Sequence, residues 1–109
     1  MKQANLNGYV TLQSPTLQAG TYGVIVWFKK ASNAGRFRLA VGTSAGSTTN
    51  LGGETDAYRS TAQWTKVNLG TITVSSAGSR YFKFTATSKN GASSAHWMFI
   101  DAIQLYKTN

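Results

Sequence analysis

The chain has no cysteine and only one histidine among its 109 residues, which excludes disulfides, thiolate metal sites and histidine metal clusters. Acids are also few: Glu54, Asp56 and Asp101. Glycosidic cleavage ordinarily needs two placed carboxyl groups, and a nucleophilic triad needs a histidine beside a serine and an acid. Glu54 and Asp56 lie in an irregular stretch, and Asp101 interrupts an apolar one. We therefore expect no catalytic activity.

Long apolar runs are absent as well, which argues against a transmembrane helix and a signal peptide. No membrane partner is expected. A chain of this length has room for one hydrophobic core, so residues 1–109 are predicted to form a single domain. We expect either a domain cut from a longer secreted protein or a protein that is not exported by its own signal, located outside the cell or on a virion surface.

The chain has 11 basic and 3 acidic residues, which gives a net charge of +8. Such a charge is compatible with an anionic partner such as nucleic acid. The basic residues are nevertheless scattered at one or two per predicted strand. This pattern favours a solvated outer face, and nucleic acid is not expected as a partner. Four basic residues would form a stripe if they shared one sheet face: Arg36, Arg38, Lys66 and Lys83.

The residues that are present are typical of an all-β domain, with 11 glycines, one proline and aromatic residues along the whole chain. Helix formers are scarce and β formers are common. About eight strands are predicted at the spacing of a sandwich or barrel. They cover residues 9–13, 21–30, 36–42, one or two short strands around 47–51 and 57–60, 63–74 with a break or bulge at Gly70, 81–87 and 96–106.

The patterns also predict how some strands pair. Strand 9–13 is short and lies at an edge, the first half of strand 21–30 is central, and strand 36–42 is the hairpin partner of strand 21–30. Strand 96–106 is apolar on nearly every residue, so we expect it inside a sheet and covered on both sides. Simple alternation places Asp101 in a buried or half-buried position, where its carboxylate accepts hydrogen bonds. The same alternation puts four residues of this strand in the core: Trp97, Phe99, Ile103 and Leu105.

Several segments carry a family resemblance: GTYGVIVWFKK, QWTKVNLGTITV with the SAG turn after it, YFKFTATSKN, and the closing FIDAIQL. They resemble galactose-binding-like jelly-roll domains of the carbohydrate-binding-module type, which occur beside glycoside hydrolases and in phage tail proteins. The resemblance covers most of the chain from Ala19 onward. It implies an antiparallel β-sandwich of jelly-roll topology and a glycan-binding role without catalysis.

The chain departs from that family near its start. Many members open with a pair of glutamates that bind a structural calcium together with an aspartate matching Asp101. Residues 2–13 include no acid, and calcium needs several oxygen ligands, commonly carboxylates. We therefore expect neither a structural calcium nor another cofactor.

Glycan binding needs an aromatic platform for the apolar face of a sugar and a few polar groups for its hydroxyls. Alternation turns Trp64 outward together with Lys66. Tyr58 lies beside Asp56 and Arg59 in the irregular stretch, and such loops often carry function. These five residues are the predicted ligand-binding set. Other aromatic candidates, for which a core position is the alternative, are Trp27, Tyr81 and Trp97.

A structural virion component is the alternative function, as a phage tail or capsid-surface decoration subunit. In that case outward aromatic side chains would be buried between subunits, because aromatic residues are enriched at interfaces. The residues concerned are Trp64, Tyr81 and Tyr106. The predicted partners are thus a glycan, or else copies of this chain or other virion subunits, and the oligomeric state separates the two functions.

Overall fold

The computed structural model describes the backbone of residues 2–3 and all of residues 6, 8–44 and 46–108. Within these residues the chain forms eight β-strands. Their bounds are β1 Lys2–Gln3, β2 Tyr9–Gln13, β3 Gly20–Lys30, β4 Arg36–Ser44, β5 Ser47–Asp56, β6 Gln63–Val74, β7 Tyr81–Ser88 and β8 Met98–Lys107. The described part of the chain has no helix long and apolar enough to cross a membrane.

The strands form two four-stranded antiparallel sheets that face each other. One has the order β1-β8-β3-β6 and the other β2-β7-β4-β5. This order is that of a jelly roll, so the predicted antiparallel β-sandwich is confirmed. The predicted edge position of β2 and the central position of β3 are also confirmed.

The connection after β3 was predicted wrongly. Strand β4 does not pair with β3 but crosses to the other sheet, where it lies between β7 and β5. The crossing segment is packed against the sandwich, since Ala31 and Ala34 are buried and form bridges to Tyr58 and Trp97. The alternation of apolar and polar residues indicates which residues face inward, but it does not indicate which sheet a strand joins. The pairing of β4 with β3 was predicted wrongly for this reason.

The irregular stretch after β4 also differs from the prediction. One or two short strands were predicted around 47–51 and 57–60. Residues 47–56 form a single longer strand, and residues 57–60 lie outside the strands, with Tyr58 in an isolated bridge to Ala31. The glycines in the middle of β5 hid its continuity, because glycine is depleted in strands.

The core lies between the inner faces of the two sheets. Phe28 of β3 packs edge-on against Phe37 of β4, with ring centroids 5.3 Å apart, and Phe37 packs against Phe84 of β7 at 6.0 Å. The first pair joins the two sheets and the second links neighbouring strands of one sheet, both in the edge-to-face geometry that aromatic rings prefer. Other fully buried side chains of the core are Val24, Val26, Leu39, Phe82 and Met98.

A β-bulge at Asp101 decides which residues of β8 face the core. Ile100 pairs with Phe28, whereas Ala102 pairs with the preceding residue Trp27, so Asp101 is an extra residue. One extra residue reverses the alternation of a strand. Residues 98 and 100 therefore face inward before the bulge, and residues 103 and 105 face inward after it.

This bulge overturns three predictions for β8. Asp101 is exposed, not buried or half-buried. The strand is covered on one face only in its second half, where inward Ile103 and Leu105 alternate with exposed residues. Trp97 and Phe99 are half-buried on the outer side, and Phe99 touches the margin of the core. The core predictions for Phe82, Phe84, Ile103 and Leu105 are confirmed, the last two as partly buried residues.

The predicted break at Gly70 is a second bulge. The register between β3 and β6 shifts between Val24, which pairs with Gly70, and Ile25, which pairs with Asn68. Leu69 is therefore the extra residue, and Gly70 has a φ of 122°. That backbone conformation favours glycine because it has no Cβ.

Candidate functional site

The outer face of sheet β1-β8-β3-β6 carries most of the exposed aromatic surface among the described residues. Strand alternation places its side chains there, since each outward residue of β3 lies between two inward ones. We call this surface the aromatic face. It consists of Trp27, Trp64, Trp97, Phe99 and Tyr106, with the amines of Lys29 and Lys66 among the rings.

Two tryptophans and two lysines form the centre of the aromatic face. Trp27 of β3 pairs with Lys66 of β6, and Lys29 of β3 pairs with Trp64 of β6. Lys66 Nζ lies 5.0 Å from the Trp27 ring centroid, and Lys29 Nζ lies 5.9 Å from that of Trp64. Each tryptophan therefore has a cation directly across the strand pair, at cation–π distance.

The β8 side of the aromatic face is a stacked pair. The rings of Trp97 and Phe99 are 5.7 Å apart and 13° from parallel. Lys29 Nζ lies 4.2 Å from the Phe99 ring centroid. Lys29 thus connects the stacked pair on one side to Trp64 on the other.

The far end of the aromatic face depends on a glycine. A Cβ added at Gly23 would lie 2.0 Å from Cζ of Tyr106, so the tyrosine ring rests directly on the backbone of β3. Asn68 Nδ2 donates a hydrogen bond to the Tyr106 hydroxyl at 3.3 Å. Nearby, Trp27 Nε1 donates to Gln104 Oε1 at 3.2 Å. These amides hold the rings and offer further polar groups at the surface.

The structure separates the predicted ligand-binding residues into two groups. Trp64, 59% exposed, and Lys66 lie on the aromatic face. Asp56 lies at the end of β5 in the other sheet, and Tyr58 and Arg59 follow it. The backbone N–H of Arg59 donates to Ala31 and its Nε to Thr61. The second group serves the loop that connects the sheets.

Asp56 organises that loop. Its carboxylate accepts hydrogen bonds from the Tyr58 backbone N–H and from Asn90 Nδ2, each at 2.9 Å, and Arg36 Nε lies 3.5 Å away. Burial raises the pKa of Asp56, but the bonds from Asn90, Tyr58 and Arg36 together hold that pKa below its ordinary value. A carboxylate with these partners acts as a structural acceptor.

Glu54 is engaged in a similar way. It accepts hydrogen bonds from the hydroxyls of Thr87 and Ser88 on neighbouring β7. The bond from Thr87 is the largest cause that lowers the pKa of Glu54 below its ordinary value. Asp101, the third carboxylate considered for catalysis, lies in the other sheet. Among the described residues, no group of three or more His, Asp or Glu side chains could hold a metal ion. Members of the family that the chain resembles have calcium-binding glutamates near their start. The start of this chain, which has no acid there, lies partly outside the described residues.

The other outer face, of sheet β2-β7-β4-β5, is rich in threonine, and we call it the threonine-rich face. Arg36, Arg38 and Lys83 lie on it, but Lys66 does not, so the four basic residues form no single stripe. Tyr9, 57% exposed, lies here with Lys83 Nζ 4.3 Å from its ring centroid. The outward residues of its two central strands are Arg36, Arg38, Ala40, Tyr81, Lys83, Thr85 and Thr87.

Sequence reasoning missed several members of the aromatic face. Phe99 was assigned to the core and Lys29 to no site, and Trp97 was favoured as a core residue. The signal that could have corrected this was Asp101 itself, since Asp is rarely buried without a partner, and a bulge at that position would turn it to the surface. The contact between Gly23 and Tyr106 could not be predicted from the sequence, because only the tertiary structure brings the two residues together.

Comparison with solved structures relates the whole fold to a carbohydrate-active enzyme. The chain is similar to part of xanthan lyase from Paenibacillus, with a TM-score of 0.83 and 27% sequence identity over 97% of this chain. The match spans 10% of the lyase chain. No protein-family model matches the sequence, and comparison with curated proteins gives no match. The chain therefore has the fold of a carbohydrate-associated β domain, similar over nearly its whole length to one domain-sized part of a polysaccharide lyase.

Proposed function

We propose that this chain is a non-catalytic domain that binds a polysaccharide on its aromatic face. The observation that carries the proposal is Trp64, whose large ring is mostly exposed on a sheet face beside Lys29 and Lys66. A sugar ring can stack its apolar C–H face on such a ring while polar neighbours bind its hydroxyls. The similarity to part of a xanthan lyase supports a carbohydrate ligand.

The shape of the face suits an extended ligand. From Gly23 to Lys29 the outward positions of β3 span six residue steps, or about 20 Å at the rise of a strand. Two cavities of the described chain, of about 370 and 210 Å³, lie instead at the open edges of the sandwich. A polymer lying along β3 would contact several rings at once, whereas a small molecule would contact one.

The test is affinity gel electrophoresis of the domain through a panel of polysaccharides. The panel contains xanthan, alginate, polygalacturonate, hydroxyethylcellulose and galactomannan. We expect at least one polymer to retard the domain. Replacing Trp64 with Ala should weaken that binding about 30-fold, because a central aromatic anchor commonly contributes about 2 kcal/mol.

Tyr9→Ala is the matched control. Tyr9 is as exposed as Trp64 and also has a lysine over its ring, but it lies on the threonine-rich face. Binding should change less than twofold. If no polymer is retained, or if Tyr9→Ala weakens binding as much as Trp64→Ala, the proposal is wrong.

The virion alternative predicts a different oligomeric state. The structure places Trp64 and Tyr106 on the aromatic face and Tyr81 on the threonine-rich face, so an interface covering all three would need both outer surfaces. We expect a monomer by multi-angle light scattering, with tryptophan fluorescence that acrylamide quenches less in Trp64→Phe than in the native chain. A stable oligomer in which Trp64→Phe does not change the quenching, and which retains no polysaccharide, would favour assembly instead.

A further inference from the structure

The cations of the aromatic face alternate with its rings. Lys29 is diagonal to Lys66 across the strand pair, and Trp27 is diagonal to Trp64. Diagonal neighbours of this kind are about 7–8 Å apart. The four side chains form a checkerboard in which a sugar stacked on either tryptophan would have an ammonium group beside its ring.

No carboxylate of the described residues neutralises these two lysines. The one ion pair found among the described residues joins Arg36 to Asp56 in the other sheet. Glu54 is also in that sheet, where Thr87 and Ser88 donate to it. Asp101 is exposed at the bulge of β8, and within residues 8–44 and 46–108 no ion pair joins it to Lys29 or Lys66. Within the described residues, the contacts found for the two ammonium groups are those with aromatic rings.

A cation over a ring at an exposed site is held weakly. A charge-assisted hydrogen bond from an ammonium to a carboxylate is considerably stronger than a neutral hydrogen bond. An incoming carboxylate can therefore draw each ammonium away from its ring and leave the ring free for stacking. A neutral sugar would have to displace the ammonium from the ring without that gain.

We infer that the polysaccharide bound on the aromatic face is acidic, with sugar carboxylates paired to Lys29 and Lys66 while the sugar rings stack on Trp27 and Trp64. The inference rests on the proposed function and specifies its ligand class. The two lysines determine preference for the acidic form, and the two tryptophans supply affinity for either form.

The experiment compares each retained polymer of the panel in its native form and after carboxyl reduction, which replaces each carboxylate with a neutral hydroxymethyl group. Isothermal titration at a fixed 150 mM salt measures affinity. Reduction should weaken binding to the native domain about tenfold or more, because hydrogen bonds to charged groups are lost. The double variant Lys29→Gln/Lys66→Gln should weaken binding to the native polymer by a similar factor, with little further loss on reduction.

The double variant Arg38→Gln/Lys83→Gln is the matched control, since it also removes two charges, both from the threonine-rich face, together with the cation–π contact of Lys83. It should change affinity less than twofold. A loss equal to that of the lysines on the aromatic face would assign the binding to general attraction by the net charge, and the inference would be wrong. Thermal unfolding of each variant excludes a folding defect.

Two outcomes separate this inference from the proposed function. If only hydroxyethylcellulose or galactomannan is retained, or if reduction leaves affinity unchanged, glycan binding stands and the acidic ligand is rejected. If no polymer is retained, the proposed function itself fails.

Discussion

The two outer faces of the sandwich follow the same alternation but expose different chemistry. The aromatic face presents three tryptophans and a tyrosine, and its two central amines lie over rings. The threonine-rich face presents hydroxyls, and its carboxylates Glu54 and Asp56 are engaged by neighbouring side chains. The comparison teaches that the pairing of acids with bases distinguishes the faces: basic residues occur on both, but among the described residues an ion pair is found only on the threonine-rich face, between Arg36 and Asp56.

The largest effect should come from inserting one alanine between Ala102 and Ile103. The insertion shifts the alternation after the bulge by one position, so either Met98 and Ile100 or Ile103 and Leu105 would turn outward. The loss should be on the order of 5 kcal/mol, much of the stability of a small domain. Urea unfolding measures it. Deleting Asp101, the extra residue, keeps the same residues inward and should change stability by no more than about 1 kcal/mol, and an insertion variant as stable as the native chain would contradict the role of the bulge.

The next effect compares an inward with an outward phenylalanine. Phe84 is completely buried between the sheets, so Phe84→Ala should destabilise the domain by about 3–5 kcal/mol through the cavity it leaves. Phe99→Ala removes a ring from the outer stack with Trp97 and should cost about 1 kcal/mol. Chemical denaturation of both variants gives the difference. Equal losses would mean that Phe99 belongs to the core after all.

Gly23→Ala tests how the aromatic face is built. The new methyl group would occupy the position of the Tyr106 ring and push it away from β3, with loss of the hydrogen bond from Asn68. Because the ring is at the end of an exposed side chain, stability should change by no more than about 1 kcal/mol. The ring protons of Tyr106 should shift in the NMR spectrum. Unchanged shifts would show that the ring does not rest on Gly23.

The smallest effect is a pH dependence confined to the threonine-rich side. Both Glu54 and Asp56 have a lowered pKa in the folded chain, so they stabilise it above their ordinary values of 4.5 and 3.8. That contribution is lost as pH falls through the lowered values, since the unfolded chain then binds more protons. Urea midpoints measured from pH 6 to 2 should fall more steeply for the native chain than for Glu54→Gln/Asp56→Asn. Parallel curves would contradict the assignment.

The sandwich could be predicted from local patterns to a large extent. Alternation of Phe82 and Phe84 with polar neighbours placed these residues in the core, and the edge position of β2 followed from the turn at Ser14 and Pro15. The partner of β4 could not be predicted, because strands with the same alternation can join either sheet. The crossing is visible only in the tertiary structure, where Ala31 and Ala34 are buried and form bridges to Tyr58 and Trp97.

The candidate site was also predicted only in part, because local patterns do not show which residues meet in the folded chain. Trp64 and Lys66 were turned outward by a regular stretch of β6, and the structure places both on the aromatic face. Asp56, Tyr58 and Arg59 were chosen from loop composition, and they lie in a loop whose polar groups are already engaged with each other and with Ala31 and Asn90. Composition indicates that a loop is polar. How many of its hydrogen-bond donors and acceptors stay free for a ligand depends on contacts with residues distant in sequence.

By itself the sequence determined the fold class, the inward residues of each regular strand and the excess of bases over acids. These are local or additive properties, since side chains alternate along any strand and charges sum over any arrangement. The tertiary structure alone decided which rings share a surface. The bulge at Asp101 reverses β8 only because the chain on either side of it pairs with β3. The aromatic face exists because that pairing brings Trp97, Phe99 and Tyr106 beside Trp27 and Trp64.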